Sequence, residues 1–225
     1  MKKLIITLMA AFAIIEGRAA IPGFGLNYGK GNLYSYGEYN CSTYDRKDQF
    51  FLAYFEYGPC DDVSLVAQSL NYPDGSYHDL GLGGFYQLTR YDWMNSRIGA
   101  IYSFGPGNAE QQDSILYSLI ANGQIAYGFG YILQTYCNHS IGEGKPVWGQ
   151  SPYLTYDLFK DLTIYGSMTY ELCRFDSTID FSVGFWYCLL RDKFGIQWAD
   201  LYFDVGNLAR TENDVRISVG IDFLF

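Results

Sequence analysis

The groups in this 225-residue chain that could do chemistry are two histidines, five cysteines and a set of acidic residues at alternate positions. His139 is followed at once by Ser140, and a hydroxyl beside an imidazole is the first requirement of a nucleophilic hydrolase, which a third group completes by orienting the base. Consecutive residues of a strand point to opposite faces, so His139 and Ser140 diverge unless the chain turns there. The cysteines, Cys41, Cys60, Cys137, Cys173 and Cys188, contain no C-x-x-C pair and no histidine cluster accompanies them, so no metal site or cofactor is expected. Their odd number leaves at least one thiol unpaired. Pairing among Cys41, Cys137 and Cys173 stays open beside the reading of all five as small lumen or loop residues.

Glu38, Glu56, Asp79, Asp157, Glu171, Asp180, Asp200, Asp204 and Asp222 share the polar parity of alternating segments with Arg97 and Arg216. A charge in a narrow lumen is costly unless it is paired, so the two arginines should take carboxylate partners. The carboxylates left over would make an open lumen prefer cations. Tyr34, Tyr36, Tyr54, Phe85, Tyr165, Trp186, Trp198 and Tyr202 fall on the same parity. Rings beside carboxylates could guide small solutes with one apolar face, or simply fill the interior. A lumen plugged by a structural polar network is the alternative.

Twelve alternating segments would carry these residues: 32–41, 48–57, 62–71, 77–90, 94–104, 112–121, 124–137, 147–158, 161–173, 178–190, 195–205 and 214–225. Each is near the roughly 10 residues that a tilted strand needs to cross a bilayer. In the tenth, Ile179, Phe181, Val183, Phe185, Tyr187 and Leu189 alternate with Asp180, Ser182, Gly184, Trp186 and Cys188. The oily parity faces lipid and the polar parity faces the lumen, while Tyr127, Tyr131, Tyr170 and Tyr187 read as interfacial-belt residues. Alternation is weakest in the first and sixth segments, without which ten strands remain.

Connection length gives an independent pattern. Short turns at Gly58 to Asp61, Tyr91 to Trp93, Asn122-Gly123, Lys160-Asp161 and Arg191 to Phe194 alternate with longer polar connections. Asn122-Gly123 is the strongest local hairpin signal, because both residues tolerate positive φ. Alternating short and long connections suit a closed antiparallel barrel with its short turns in the periplasm. Closure also removes any open sheet edge facing hydrocarbon.

Met1-Lys2-Lys3, the apolar run Leu4 to Ile15 and the small residues of Gly17-Arg18-Ala19-Ala20 predict a cleaved secretory signal peptide over residues 1–20. Residues 21–31 form a Gly-rich periplasmic lead-in or a short arm entering the lumen, and 32–225 a single barrel domain. Loss of Lys2, Lys3, Arg18 and Glu16 takes the formal charge from −9 to −11, which sets the product against nucleic acid. The 22 Tyr, 16 Phe and 25 Gly against 6 Pro are a strand-forming composition, and no second apolar run reaches spanning length.

The last stretch sets Val215, Ile217, Val219, Ile221, Phe223 and Phe225 on one face and Arg216, Ser218, Gly220 and Asp222 on the other. It resembles the carboxy-terminal strand of Gram-negative outer-membrane β-barrels, which the barrel-assembly machinery recognises. That resemblance implies Ile221, Phe223 and Phe225 as the assembly signal, and outer-membrane lipid and lipopolysaccharide as surroundings. Phe55-Glu56-Tyr57-Gly58 followed by Asp61-Asp62-Val63-Ser64-Leu65 is similar to the first hairpin of outer-membrane transporters grouped with the phenol meta-pathway degradation family. Outer-membrane phospholipases and lipid A deacylases separate the catalytic His and Ser by one residue, and His139-Ser140 departs from that spacing. The expectation is therefore a narrow passive channel for small solutes. A non-conducting structural or surface-interaction barrel is the rival, and a lipid hydrolase using His139 and Ser140 comes after it.

Overall fold

The computed structural model describes residues 14–15, 28–42, 49–71, 78–91, 93–104, 113–126, 128–141, 146–172, 177–208 and 215–225. Twelve strands form one antiparallel ring: β1 (Leu33–Ser42), β2 (Phe50–Cys60), β3 (Val63–Asn71), β4 (His78–Tyr91), β5 (Met94–Phe104), β6 (Ser114–Ala126), β7 (Phe129–Ser140), β8 (Pro146–Phe159), β9 (Leu162–Leu172), β10 (Ser177–Lys193), β11 (Ile196–Gly206) and β12 (Arg216–Leu224). Each strand pairs with its sequence neighbour, and β12 pairs with β1 from Arg216↔Ser42 to Leu224↔Tyr34, which closes the ring. Backbone bonds between Leu33 and Phe225 extend that seam by one step at 2.9 and 3.1 Å. Ile14–Ile15 lies parallel to β9 at Thr169, and the ring closes without it.

Following hydrogen-bonded partners once round the ring returns to β1 about 14 residues further along, a stagger that tilts the strands by roughly 40°. The pleat then sorts the side chains. Phe51, Phe55, Leu65, Leu82, Ile98, Phe181 and Val183 stand exposed on the outer face, which is the apolar surface that hydrocarbon requires. Tyr187 joins them, Tyr131 and Tyr170 are half-buried, and Tyr127 lies outside the described residues.

Four boundaries depart from the sequence reading. Asn122-Gly123 is not a turn: β6 runs through both, with Asn122 opposite Ile132 and Gly123 opposite Tyr131, and the chain reverses between Ala126 and Phe129, where Gly128 takes φ +82°. A strand ending at Ala121 would hold only about 8 residues, short of the 9–11 needed to cross, whereas β6 has 13. β2 continues through Gly58-Pro59 to Cys60, so the first turn is Asp61-Asp62, and β10 runs to Lys193 before turning at Phe194-Gly195. β7 extends to Ser140, which places Asn138, His139 and Ser140 in a strand rather than in a connection. The alternation of short and long connections survives these shifts.

The thiol question narrows in the same frame. Cys41 and Cys137 belong to β1 and β7, half the ring apart, well beyond the roughly 7 Å between Cα atoms that a disulfide spans. Cys41, Cys60, Cys137 and Cys188 are free thiols, and Cys173 lies outside the described residues.

Candidate functional site

The interior divides into two levels. The stagger brings the short-turn halves of the strands to one height, and bulky inward residues collect there: Tyr34, Tyr54, Glu56, Val66, Phe85, Arg97, Ile120, Ile132, Tyr165 and Tyr202 are all buried. Arg97 donates to Glu56 Oε1 at 2.6 Å, with both side chains fully out of contact with water. The hydroxyl of Tyr54 donates to the other Glu56 oxygen at 2.8 Å, and the Phe85 ring lies 4.2 Å beneath the guanidinium. Gly99 makes room for that ring, because a Cβ there would sit 2.4 Å from it.

Beside this ion pair, Asp222 accepts from the Tyr34 hydroxyl at 3.2 Å and from the Asp200 backbone N–H at 3.1 Å. Trp198 packs 5.7 Å from Tyr34, and Tyr54 meets Tyr34 edge-on at 6.1 Å. Across the lumen Tyr165 stacks on Trp186 at 4.2 Å and lies parallel to Tyr202 at 6.0 Å, while its hydroxyl donates to Asp204 at 2.9 Å. Gly184 is the complement of the Tyr165 ring, since a Cβ there would meet the Tyr165 hydroxyl at 2.3 Å.

The other level, toward the long connections, is lined by small and polar residues. Arg216 pairs with Asp204 at 3.3 Å, Ser218 donates to Asn40 at 2.5 Å, and Asp180 accepts from the Asn207 N–H at 2.7 Å. Glu38 accepts from Tyr36, and Glu171 accepts from Tyr136 at 2.7 Å. Glu38, Asp180 and Asp204 are buried, and Asp79 and Glu171 are half-buried. Asp157 is exposed at the short-turn mouth, where it accepts from Thr163 at 2.7 Å.

Each arginine thus has a carboxylate partner, Glu56 for Arg97 and Asp204 for Arg216. The simple division into oily outside and polar inside fails: Val66, Ile120, Ile132 and Leu224 point inward and are buried, and so do Leu52 and Ile101 nearer the long connections. These apolar side chains pack with the rings of Tyr34, Tyr36, Tyr54 and Phe85 in one buried cluster. Sequence reasoning passed over Tyr136, whose ring needs Gly149 opposite it, and over Tyr28 ahead of β1. Tyr136 shares the inward parity of Gln134, but the glycine its ring needs, Gly149, lies opposite it on the neighbouring strand, which no local pattern marks. Burial pushes the Tyr28 hydroxyl well above its ordinary range, and the nearby Glu56 adds to that shift.

His139 and Ser140 occupy consecutive positions of β7, opposite Ile115 and Ser114 of β6. They therefore point to opposite faces of the sheet, which separates the hydroxyl from the imidazole. Among the described residues no group of three or more His, Cys, Asp or Glu side chains could hold a metal ion.

No protein-family model matches this chain and no curated protein matches it, so the likeness of its first hairpin to the phenol meta-pathway family stays a resemblance. Among solved structures it is similar to the KdgM porin in complex with disordered oligogalacturonate, with a TM-score of 0.65 at 13% identity over 84% of this chain and 98% of that one. The NanC porin gives 0.59 at 11% identity, covering 85% of this chain and 98% of the other. Outer-membrane phospholipase A from Escherichia coli gives 0.51 at 10% identity, covering 84% and 92%. The fold is that of the outer-membrane β-barrel porins.

Proposed function

We propose that this chain resides in the outer membrane as a narrow passive channel that passes small solutes and prefers cations. The carrying observation is the charge balance of the interior. Among the described residues eight inward carboxylates, Glu38, Glu56, Asp79, Glu171, Asp180, Asp200, Asp204 and Asp222, stand against the two inward arginines, Arg97 and Arg216. A low-dielectric wall focuses that negative potential along the lumen, raising the local concentration of cations and repelling anions. An acidic interior also sets this barrel against a polyanion such as the oligogalacturonate held by KdgM, and suits neutral or positively charged solutes instead.

The test is single-channel conductance of the refolded protein under a KCl gradient. Discrete steps with a reversal potential on the cation side are expected, and Asp180→Asn with Glu38→Gln should move that potential toward zero without abolishing the steps. Absence of steps from a folded barrel would remove the channel reading. It would favour a non-conducting structural barrel, which has its own support in the complete burial of Tyr34, Tyr54 and Arg97. Fold alone does not separate a channel from a hydrolase, since a phospholipase shares it. The divergence of His139 and Ser140 weighs against that chemistry here.

Residence in the outer membrane carries two further expectations. Export should remove residues 1–19 or 1–20, so the intact mass of the membrane-extracted protein should begin at Ala20 or Ile21; an uncleaved mass would overturn the signal-peptide reading. The outer face would lie against lipid and lipopolysaccharide, and Ile221, Phe223 and Phe225 would present the assembly signal to the barrel-assembly machinery. Phe223 and Phe225 stack 6.0 Å apart on that face.

A further inference from the structure

One edge of the short-turn mouth carries a segment that is not one of the barrel's strands. Tyr28 to Asn32 doubles back just before β1: the Asn32 N–H donates to the Gly29 carbonyl at 3.3 Å, and the Asn32 side-chain amide donates to the Tyr28 carbonyl at 2.5 Å. Gly29 and Gly31 supply the positive φ values, +87° and +84°, that this fold-back requires. The segment is fastened on either side of the β12–β1 seam. On the β2–β3 hairpin, Gly31 donates to Gly58 at 2.7 Å, Gly58 donates to Asn32 at 3.1 Å, and the Lys30 N–H donates to the Asp61 carboxylate at 3.0 Å. On β11, the Gln197 amide donates to Asn32 Oδ1 at 3.0 Å.

Held at these points, the segment turns the Tyr28 ring against inward rings of β1 and β11. It stacks on Tyr34 with centroids 4.5 Å apart and planes 13° from parallel, and it meets Trp198 at 6.3 Å. We propose that Tyr28–Asn32 is a plug for the short-turn mouth, in which the Tyr28 ring fills an aromatic berth made by Tyr34 and Trp198 and solute passes only when that ring leaves. The proposal rests on the channel reading above.

The chemistry of the fastenings suits a part that moves. The bonds to Asp61 and Gln197 lie at exposed positions, so their groups can exchange protein partners for water with little loss, and the ring contact is non-covalent. Releasing a five-residue turn is a local opening that leaves the ladder of the ring intact. The vacated berth would present the Tyr34 and Trp198 rings with Asp222 beside them, which is a surface for a flat apolar or cationic group. The plug thus occupies a place that a solute of that kind would contact on its way through.

Ser64 lies inside the barrel on the hairpin that holds Gly31 and Asn32, so its access to solvent tests the seal. It is fully buried near the short-turn end of β3, and cysteine replaces serine there at almost equal volume. Ser64→Cys is placed in a background with the five native cysteines changed to serine, and the folded barrel, verified by heat-modifiable gel mobility, is treated with a charged methanethiosulfonate. Labelling should be slow with Tyr28 or Tyr28→Phe, and at least tenfold faster with Tyr28→Ala or with Asn32→Ala, which frees the turn but keeps the ring. Equal rates in all four would overturn the plug whatever the conductance. Conductance of the same proteins separates the two ideas: faster labelling in Tyr28→Ala with no current steps would leave the plug as a seal and remove the channel.

Discussion

Replacing Arg97 with methionine should destabilise the folded barrel by about 3–5 kcal/mol, the cost of breaking a buried pair and leaving one charge behind. Arg97 and Glu56 are both at zero exposure, 2.6 Å apart, so neither can turn to water when the other is removed. The Tyr54 hydroxyl still donates to Glu56 in the variant, but one neutral donor does not replace a guanidinium. Methionine keeps the volume over the Phe85 ring, so the loss measured is that of charge and hydrogen bonds rather than of a cavity. The double variant Arg97→Met with Glu56→Gln should recover at least half of the loss, because the orphaned charge is then gone. Equilibrium urea unfolding of the barrel in lipid or detergent measures both, and a single variant within about 1 kcal/mol of the parent would mean that water reaches Glu56.

The pairing of Arg97 was legible in the sequence, while its partner was not. A positive charge at an inward position of a narrow barrel has to meet a carboxylate, and that follows from parity and desolvation alone. Which carboxylate depends on the stagger, since β2 and β5 are three strands apart in the ring and only the register brings Glu56 level with Arg97. The strand set was legible for the opposite reason: alternation and connection length are local, and closure follows because unpaired edges cannot face lipid. Leu52, Ile101 and Ile120 are apolar by type, yet their parity carries them in, where they pack with the aromatic rings. Parity outranks polarity within a strand, and a barrel this narrow needs some of its apolar side chains inside. Tyr28 was hidden because nothing local marks where a loop aromatic will dock; the glycines around it mark only that the chain can turn.

Gly123→Asn should prevent the barrel from folding, whereas Gly128→Asn should fold with a loss of about 1 kcal/mol or less. Read as a two-residue turn, Asn122-Gly123 would tolerate asparagine at the second position, because Asn accepts positive φ almost as readily as Gly does. In the folded chain Gly123 is instead an extended residue of β6, and its hydrogen occupies a gap against the neighbouring hairpin. A Cβ there would lie 2.1 Å from the Trp93 carbonyl oxygen and 2.9 Å from the Tyr131 ring. The first neighbour is backbone, at the turn between β4 and β5, and it cannot withdraw without moving that turn. At Gly128 the situation reverses: the φ of +82° demands a residue that accepts it, but the nearest atoms to an added Cβ are 3.6 Å away, an ordinary contact. Heat-modifiable gel mobility of the two variants, refolded side by side, gives the folded fraction directly. A folded Gly123→Asn beside an unfolded Gly128→Asn would put the hairpin back at Asn122 and shift the register of β6 against β7 by several residues. That shift would exchange the partners of Gln134 and Ser118, and with them the polar contact at 3.2 Å that now bridges the two strands inside the lumen.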